Sequence, residues 1–249
     1  MTVKIHKNLA TKENREAWLE ARQNSITSSD VAAIFGRSPY KTLFELWAEK
    51  TGQIEDGFKE NDRAAAGRHL EAGIASWACE KFGFEAKPFK DYYEDPDAKT
   101  GASFDWQITG WSDAPSGFSF DDVVPMEIKM VDYRVFNGTF KEGYADKKWD
   151  AENPDDIVAP PHIELQVQHQ MMMTGASWAV IIVLIAGNDL RMILRKRNET
   201  IIQKIRDGIA KFWKDVRNLV EPSPNYERDA DAIKRLYARP DPRAALDAP

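Results

Sequence analysis

Gly101-Ala102-Ser103-Phe104-Asp105-Trp106, followed by Pro125-Met126-Glu127-Ile128-Lys129-Met130, is the part of this chain on which its architecture turns. Side chains of a β-strand alternate between faces, so Glu127 and Lys129 project together while Ile128 points into the core. Turn signals at Gly110 and Pro115-Ser116-Gly117 lie between the two stretches. They allow the chain to fold back and set Asp105 on a strand beside Glu127. Two carboxylates and an ammonium converging on one point suit metal-assisted phosphodiester hydrolysis. The carboxylates can hold Mg²⁺, and the lysine can orient or deprotonate the attacking water.

The triplet by itself is not specific. Acid-x-lysine recurs at Glu85/Lys87, Asp97/Lys99 and Asp146/Lys148, and a charged pair on a strand is ordinarily a solvated face. What sets 127–129 apart is its surroundings. Val123 and Val124 precede it and Met126, Ile128 and Met130 interleave it, the pattern of a strand near the core. Charges buried there are costly unless paired or metal-bound. On the residues alone, a nuclease site and a solvated charged face both stand.

Around this stretch the periodicity predicts helices over 11–24, 31–35, 43–50 and 63–82, the last stopped by Gly83. It predicts strands near 86–94, 101–112, 117–130, 178–186 and 189–196, with a helix over 162–174 packed between the two strand groups. Residues 141–160, rich in Asp, Lys, Pro and Asn, read as an exposed loop. Ile201, Ile202, Ile205, Ile209, Phe212, Val216 and Val220 mark an amphipathic closing helix within 199–220. The expected organisation is one α/β (α+β) domain over 1–220, with a helical part at 11–82 and a central mixed β-sheet flanked by helices at 86–196. A proline- and charge-rich tail, 221–249, is expected to cross the surface without a core of its own.

With 249 residues, 43% hydrophobic and 30% charged, the composition is that of an ordinary soluble domain. The longest apolar run, residues 178–186, is too short to span a bilayer. The N-terminus has no apolar signal core, so an untargeted cytoplasmic protein is expected. A lone cysteine, Cys79, excludes an internal disulfide and a cysteine-rich zinc or iron–sulfur site. It reads as packing, as does the Met171-Met172-Met173 run. A net charge of −6 does not by itself favour a nucleic-acid binder. Basic residues cluster only locally, at Lys147-Lys148 and over 191–197. His162 and His169 read as polar positions of a helix; without a third partner they make a poor zinc site.

Several further pieces stand in order along the chain. They are Arg22 with Ser29-Asp30-Val31-Ala32-Ala33-Ile34, Ser38-Pro39-Tyr40, Gly67-Arg68-His69-Leu70-Glu71, Ser103-Phe104-Asp105, Glu127-Ile128-Lys129 and Gln166-Val167-Gln168-His169-Gln170. Together they resemble the YqaJ-type viral recombinase and lambda exonuclease family, with the restriction-endonuclease-like PD-(D/E)XK core, over roughly residues 15–216. In two places this chain departs from the family pattern. Phe104 replaces the proline usual before the aspartate, and Trp106 the glycine usual after it. Neither change removes a ligand.

The resemblance implies roles residue by residue. Asp105, Glu127 and the carbonyl of Ile128 would hold a first Mg²⁺, and Asp105 with Glu71 a second, with Mn²⁺ able to substitute. Lys129 would position and activate water, with Gln166 hydrogen-bonded beside it. Arg22, Ser29 and Ser103 would take the terminal 5′-phosphate, as a guanidinium fork and hydroxyls can. Read without the family, Glu71 is a solvated charge, Gln166 the polar side of a helix, Arg22 a surface arginine and Ser29 a cap. The implied activity is 5′-to-3′ exonucleolysis of linear double-stranded DNA, giving mononucleotides and a 3′ single strand for phage-type recombination. The implied assembly is a homotrimer working beside a single-strand annealing protein, in a bacterial host of a phage or prophage. The alternatives are a ringless endonuclease or repair nuclease of the same fold and a catalytically inactive DNA-binding module.

Overall fold

A computed structural model describes residues 2–55, 61–120, 123–133 and 159–237. Its elements run β1 (Lys4–His6), α1 (Arg15–Gln23), β2 (Ile26–Thr27), α2 (Val31–Ile34), α3 (Leu43–Lys50) and α4 (Asp62–Phe82). Then come β3 (Phe84–Pro88), β4 (Tyr92–Asp95), β5 (Thr100–Ala102), β6 (Trp106–Trp111) and β7 (Val124–Val131). The order closes with α5 (Pro161–Thr174), β8 (Trp178–Ile185), β9 (Asp189–Lys196), α6 (Glu199–Arg217) and α7 (Ala230–Tyr237). The loop expected over 141–160 lies, as far as residue 158, outside the described residues, as do Asp146, Lys147 and Lys148.

Helix ends follow local chemistry. Asn61, Thr42 and Asn198 accept from the amides of Ala64, Glu45 and Ile201 at the starts of α4, α3 and α6. Pro161 opens α5, where its missing N–H costs nothing. Gly83 and Gly175, both left-handed, terminate α4 and α5.

The fold is mixed α/β, but it holds two mixed sheets where the sequence suggested one. The smaller has the order β1-β4-β5-β2 and the larger β3-β6-β7-β8-β9. The expected strands near 86–94 and 101–112 are each broken, with one half in either sheet. Two aromatic contacts fix the break. The Phe104 ring stacks on Phe89 at 3.8 Å, which turns the chain out of β5 before β6 begins. Tyr92 lies across Gly101, where a Cβ would meet its hydroxyl at 2.2 Å. The expected strand over 117–130 begins only at Val124.

In the larger sheet β8 pairs parallel with β7 and antiparallel with β9. Its continuous apolar run is that of a strand buried on both faces. Ile181, Val183 and Ile185 pack with Ile163, Val167 and Met171 of α5. Val180, Ile182 and Leu184 pack with Ile74, Ala75 and Ala78 of α4, together with Met126 and Ile128. The period of two therefore turns Ile128 to the α4 layer and Glu127 and Lys129 to the α5 side. Cys79 packs against this α4 layer and the three consecutive methionines are buried.

A third cluster joins α2, α3 and α6 to the smaller sheet, and α7 packs onto it. The tail thus departs from the expectation of a coreless surface segment. Ala232 is buried, with Ile233 and Leu236 packed beside it. Arg235 pairs with Glu45, Arg228 donates to the Ser38 carbonyl, and Asp229 accepts from Thr42. No helix among the described residues is long and apolar enough to cross a membrane.

Candidate active site

The site forms where the two sheets meet. Asp105 occupies the step between β5 and β6, just beyond the last β6–β7 pair, Trp106 with Met126. At that point the ladder would leave the Ile128 amide without a strand partner. The Asp105 carboxylate accepts that amide at 2.8 Å. Asp105 is thus held in register with Glu127 although it does not itself lie on a strand.

Glu127 is 2% exposed, and its carboxylate is surrounded by donors. Its Oε1 accepts from Lys129 Nζ at 2.5 Å and from Gln166 Nε2 at 2.6 Å. Its Oε2 accepts from Gln170 Nε2, also at 2.6 Å. Glu71, on α4, accepts the Trp106 indole N–H at 3.1 Å. The Trp106 indole thus orients the Glu71 carboxylate.

The electrostatics follow from crowding. Burial, then the Glu127 carboxylate, push the Asp105 carboxyl well above the ordinary carboxylate range. Burial also raises Glu71, opposed by the Trp106 bond. Burial disfavours the charge of Lys129, but Glu127 and Asp105 outweigh it and hold its pKa above that of an ordinary lysine. Lys129 is an ammonium at neutral pH.

The candidate phosphate ligands line the same cavity. Arg22 Nη2 lies 3.3 Å from Ser29 Oγ, and its guanidinium sits 4.6 Å over the Trp18 ring. The loop between β2 and α2 is tied from below. Lys50 donates to the carbonyls of Arg22, Gln23 and Ser25. Asp30 accepts from the Thr27 amide and hydroxyl and faces Lys50 at 3.9 Å. Burial would raise the Asp30 carboxyl, but Lys50, Lys41 and the Thr27 bond hold it below the usual range. A cavity of about 360 Å³ is lined by Arg22, Ser28, Ser29 and Ser103 together with Glu71, Asp105, Glu127 and Gln166. Lys129 reaches this group through Glu127.

His169 differs from its reading as a polar helix position: it is fully buried. Thr100 spends its hydroxyl proton on the Ile26 carbonyl at 2.7 Å. It must therefore accept from His169 Nε2, also at 2.7 Å. The Nδ1 atom is then the acceptor for Ser28 Oγ at 2.9 Å. Burial holds this neutral imidazole down to a pKa of about 3. His162 lies edge-on to Tyr40 at 6.0 Å.

The donor set suits a hard cation. Among the described residues no three His, Cys, Asp or Glu groups form a ready-made metal cluster. Mg²⁺ does not need one, since it keeps several waters and takes one or two carboxylates. Asp105, Glu127 and Glu71 supply oxygen only, and the crowding that raises Asp105 is what a cation would relieve. Five contributors were given no role in the site by the sequence reading: Trp18, Ser28, Lys50, Trp106 and Gln170. Only Gln170 carried a signal, as the residue one helical turn beyond Gln166.

Comparison with known proteins agrees with this architecture. A model of the YqaJ-like viral recombinase domain matches residues 17–177. The uncharacterized protein YqaJ of Bacillus subtilis is 27% identical over 241 residues, covering 94% of this chain and 67% of that protein. Among solved structures, an alkaline exonuclease, LHK-Exo, from Laribacter hongkongensis superposes with a TM-score of 0.55 at 18% identity. It covers 88% of this chain and 99% of its own. Its complex with dAMP gives the same TM-score and identity, covering 88% of this chain and 98% of its own. The shared fold is an exonuclease fold of the PD-(D/E)XK type.

Proposed function

The chain belongs to the YqaJ-like viral recombinase domain family, and from that premise we propose that it is a Mg²⁺-dependent 5′-to-3′ exonuclease acting on linear double-stranded DNA. One observation carries the reading. Arg22, Ser29 and Ser103, whose donors suit a phosphate, and the carboxylates of Glu71, Asp105 and Glu127 line a single cavity. An end-binding nuclease needs both groups in one cavity, because the terminal phosphate must be held while the next phosphodiester is cut.

Asp105, Glu127 and the Ile128 carbonyl would hold one Mg²⁺, and Asp105 with Glu71 a second; Mn²⁺ can take their place. Bound there, the ions supply charge stabilisation for the entering and leaving oxygens of an in-line displacement. The Lys129 ammonium donates a hydrogen bond to the attacking water and orients it. Gln166, anchored on Glu127, limits the positions that water can take. Arg22 gives the 5′-phosphate a charged fork, with Ser29 and Ser103 adding hydroxyl donors. Trp18 beneath the guanidinium holds Arg22 extended toward the cavity.

The products are mononucleotides and a 3′ single strand that feeds recombination beside a single-strand annealing protein. The assembly is a homotrimer of the 28.3 kDa chain. The net charge of −6 fits a protein whose affinity for DNA lies in its site rather than its whole surface. The test incubates protein and Mg²⁺ with linear duplexes labelled at either end, with and without 5′-phosphate, beside a covalently closed circle. Loss of the 5′ label first, with the circle intact, supports the proposal. Cutting of the circle, or loss from the 3′ end, refutes it.

A further inference from the structure

We infer that Gln170 is a positioning residue that fixes the carboxylate of Glu127, an inference resting on the reading of Glu127 as a metal ligand. Helix α5 presents Gln166 and Gln170 one turn apart on the same face. Each gives an amide N–H to Glu127 at 2.6 Å, one to either oxygen. The loads on the two oxygens differ. Oε1 also takes the Lys129 ammonium. Among the described residues Oε2 has Gln170 as its hydrogen-bond donor. A buried carboxylate needs donors on both oxygens, so Gln170 completes the set that holds Glu127 in one orientation.

A second observation separates this role from simple packing. Gln170 is fully buried, and among the described residues its Oε1 has no hydrogen-bond partner. The next three residues are apolar and buried, Met171 in the cluster under the larger sheet and Met172 and Met173 in the cluster beside the smaller one. A methionine at 170 would spare the fold an unsatisfied buried acceptor. Turning the amide over offers no relief, because Oε1 would then face a carboxylate oxygen at hydrogen-bond distance. The glutamine is unfavourable for the core and useful to Glu127. Ligating carboxylates held by such outer partners keep their orientation toward the ion, and losing the partner typically weakens metal binding or activity by about 10–100-fold.

The test compares Gln170→Met, which fills the space without a donor, with Gln170→Asn, which withdraws the amide by one methylene. Mn²⁺ binding is read by electron paramagnetic resonance on protein without DNA, and folding by circular dichroism. Both variants should bind Mn²⁺ about 10–100-fold more weakly. Their kcat on 5′-phosphorylated duplex should fall with KM little changed, since the phosphate pocket is untouched. Wild-type Mn²⁺ affinity in either folded variant overturns the inference, and if the Met variant fails to fold the Asn variant decides. Glu127→Ala is the separating control. If it too binds Mn²⁺ like wild type, the ligand reading falls. If it loses the ion while both Gln170 variants keep it, only the role of Gln170 falls.

Discussion

Acidification should expose His169 as a buried neutral group whose protonation opposes folding. In the folded chain its pKa lies at about 3, while an unfolded histidine takes up its proton near 6.5. Between those values the unfolded state binds more protons, so stability falls as pH drops through this window and the loss is complete near pH 3. At pH 5 the imidazole contributes a loss of about 2 kcal/mol relative to pH 8, from about 1.4 kcal/mol per pH unit below 6.5. For a chain of this size that corresponds to about 4–8 °C in Tm. Carboxylates titrate too, so the quantity to measure is a difference. Wild type should lose about 4–8 °C more between pH 8 and pH 5 than His169→Gln, whose amide can still accept from Ser28 and donate to Thr100. Equal losses in the two proteins would refute the assignment. So would a folded-state imidazole seen by NMR to titrate near 6.5, a measurement that needs no variant.

The remaining predictions concern the cavity. Asp105→Ala, Glu127→Ala and Lys129→Ala should each reduce cleavage by several orders of magnitude with the fold retained, since the three act as a unit; a Lys129→Ala protein with near-normal turnover would remove that residue from the mechanism. Ca²⁺, which binds with longer and looser coordination, should occupy the site without efficient turnover, and rapid degradation in Ca²⁺ alone would argue against a site shaped for Mg²⁺. Arg22→Ala should strongly lower the rate on 5′-phosphorylated duplex and shrink the advantage of phosphate over hydroxyl ends, because a charge-assisted bond contributes about 1.5–3 kcal/mol. A full phosphate preference in that variant would return Arg22 to the reading of a surface arginine.

What could be read from the sequence was what depends on neighbours along the chain. The alternation over 123–131 placed Glu127 and Lys129 on one face because strand periodicity is local. The apolar run at 178–186 marked a strand, since a run of neighbouring side chains is also local. The break at 103–105 was invisible because its causes are distant. Phe104 leaves the strand to stack on Phe89, and Tyr92 occupies the space over Gly101. The helix at Ala230–Tyr237 was missed because it is short and lies between proline- and charge-rich stretches, and much of its attachment is polar: Arg235 to Glu45, Arg228 to Ser38. His169 misled because residue type suggests a polar position, whereas two hydroxyls from other elements satisfy both ring nitrogens. The indole bond from Trp106 to Glu71 has no sequence signature.

The missed break is also what gives the site its reach. Arg22, Ser28 and Ser29 belong to elements attached to the smaller sheet, while Glu127 belongs to the larger. Ser103-Phe104-Asp105 is the link that carries the chain from one to the other. Ser103 lines the cavity with Arg22 and Ser29, and two residues later Asp105 accepts the Ile128 amide of β7. The placement of Ser103 relative to the carboxylates therefore depends on a link whose middle residue is held in an aromatic stack. A single continuous strand through 101–112 would carry Asp105 along the ladder and leave the Ile128 amide without this acceptor. The aromatic residue at 104 holds the chain away from the sheet by stacking on Phe89.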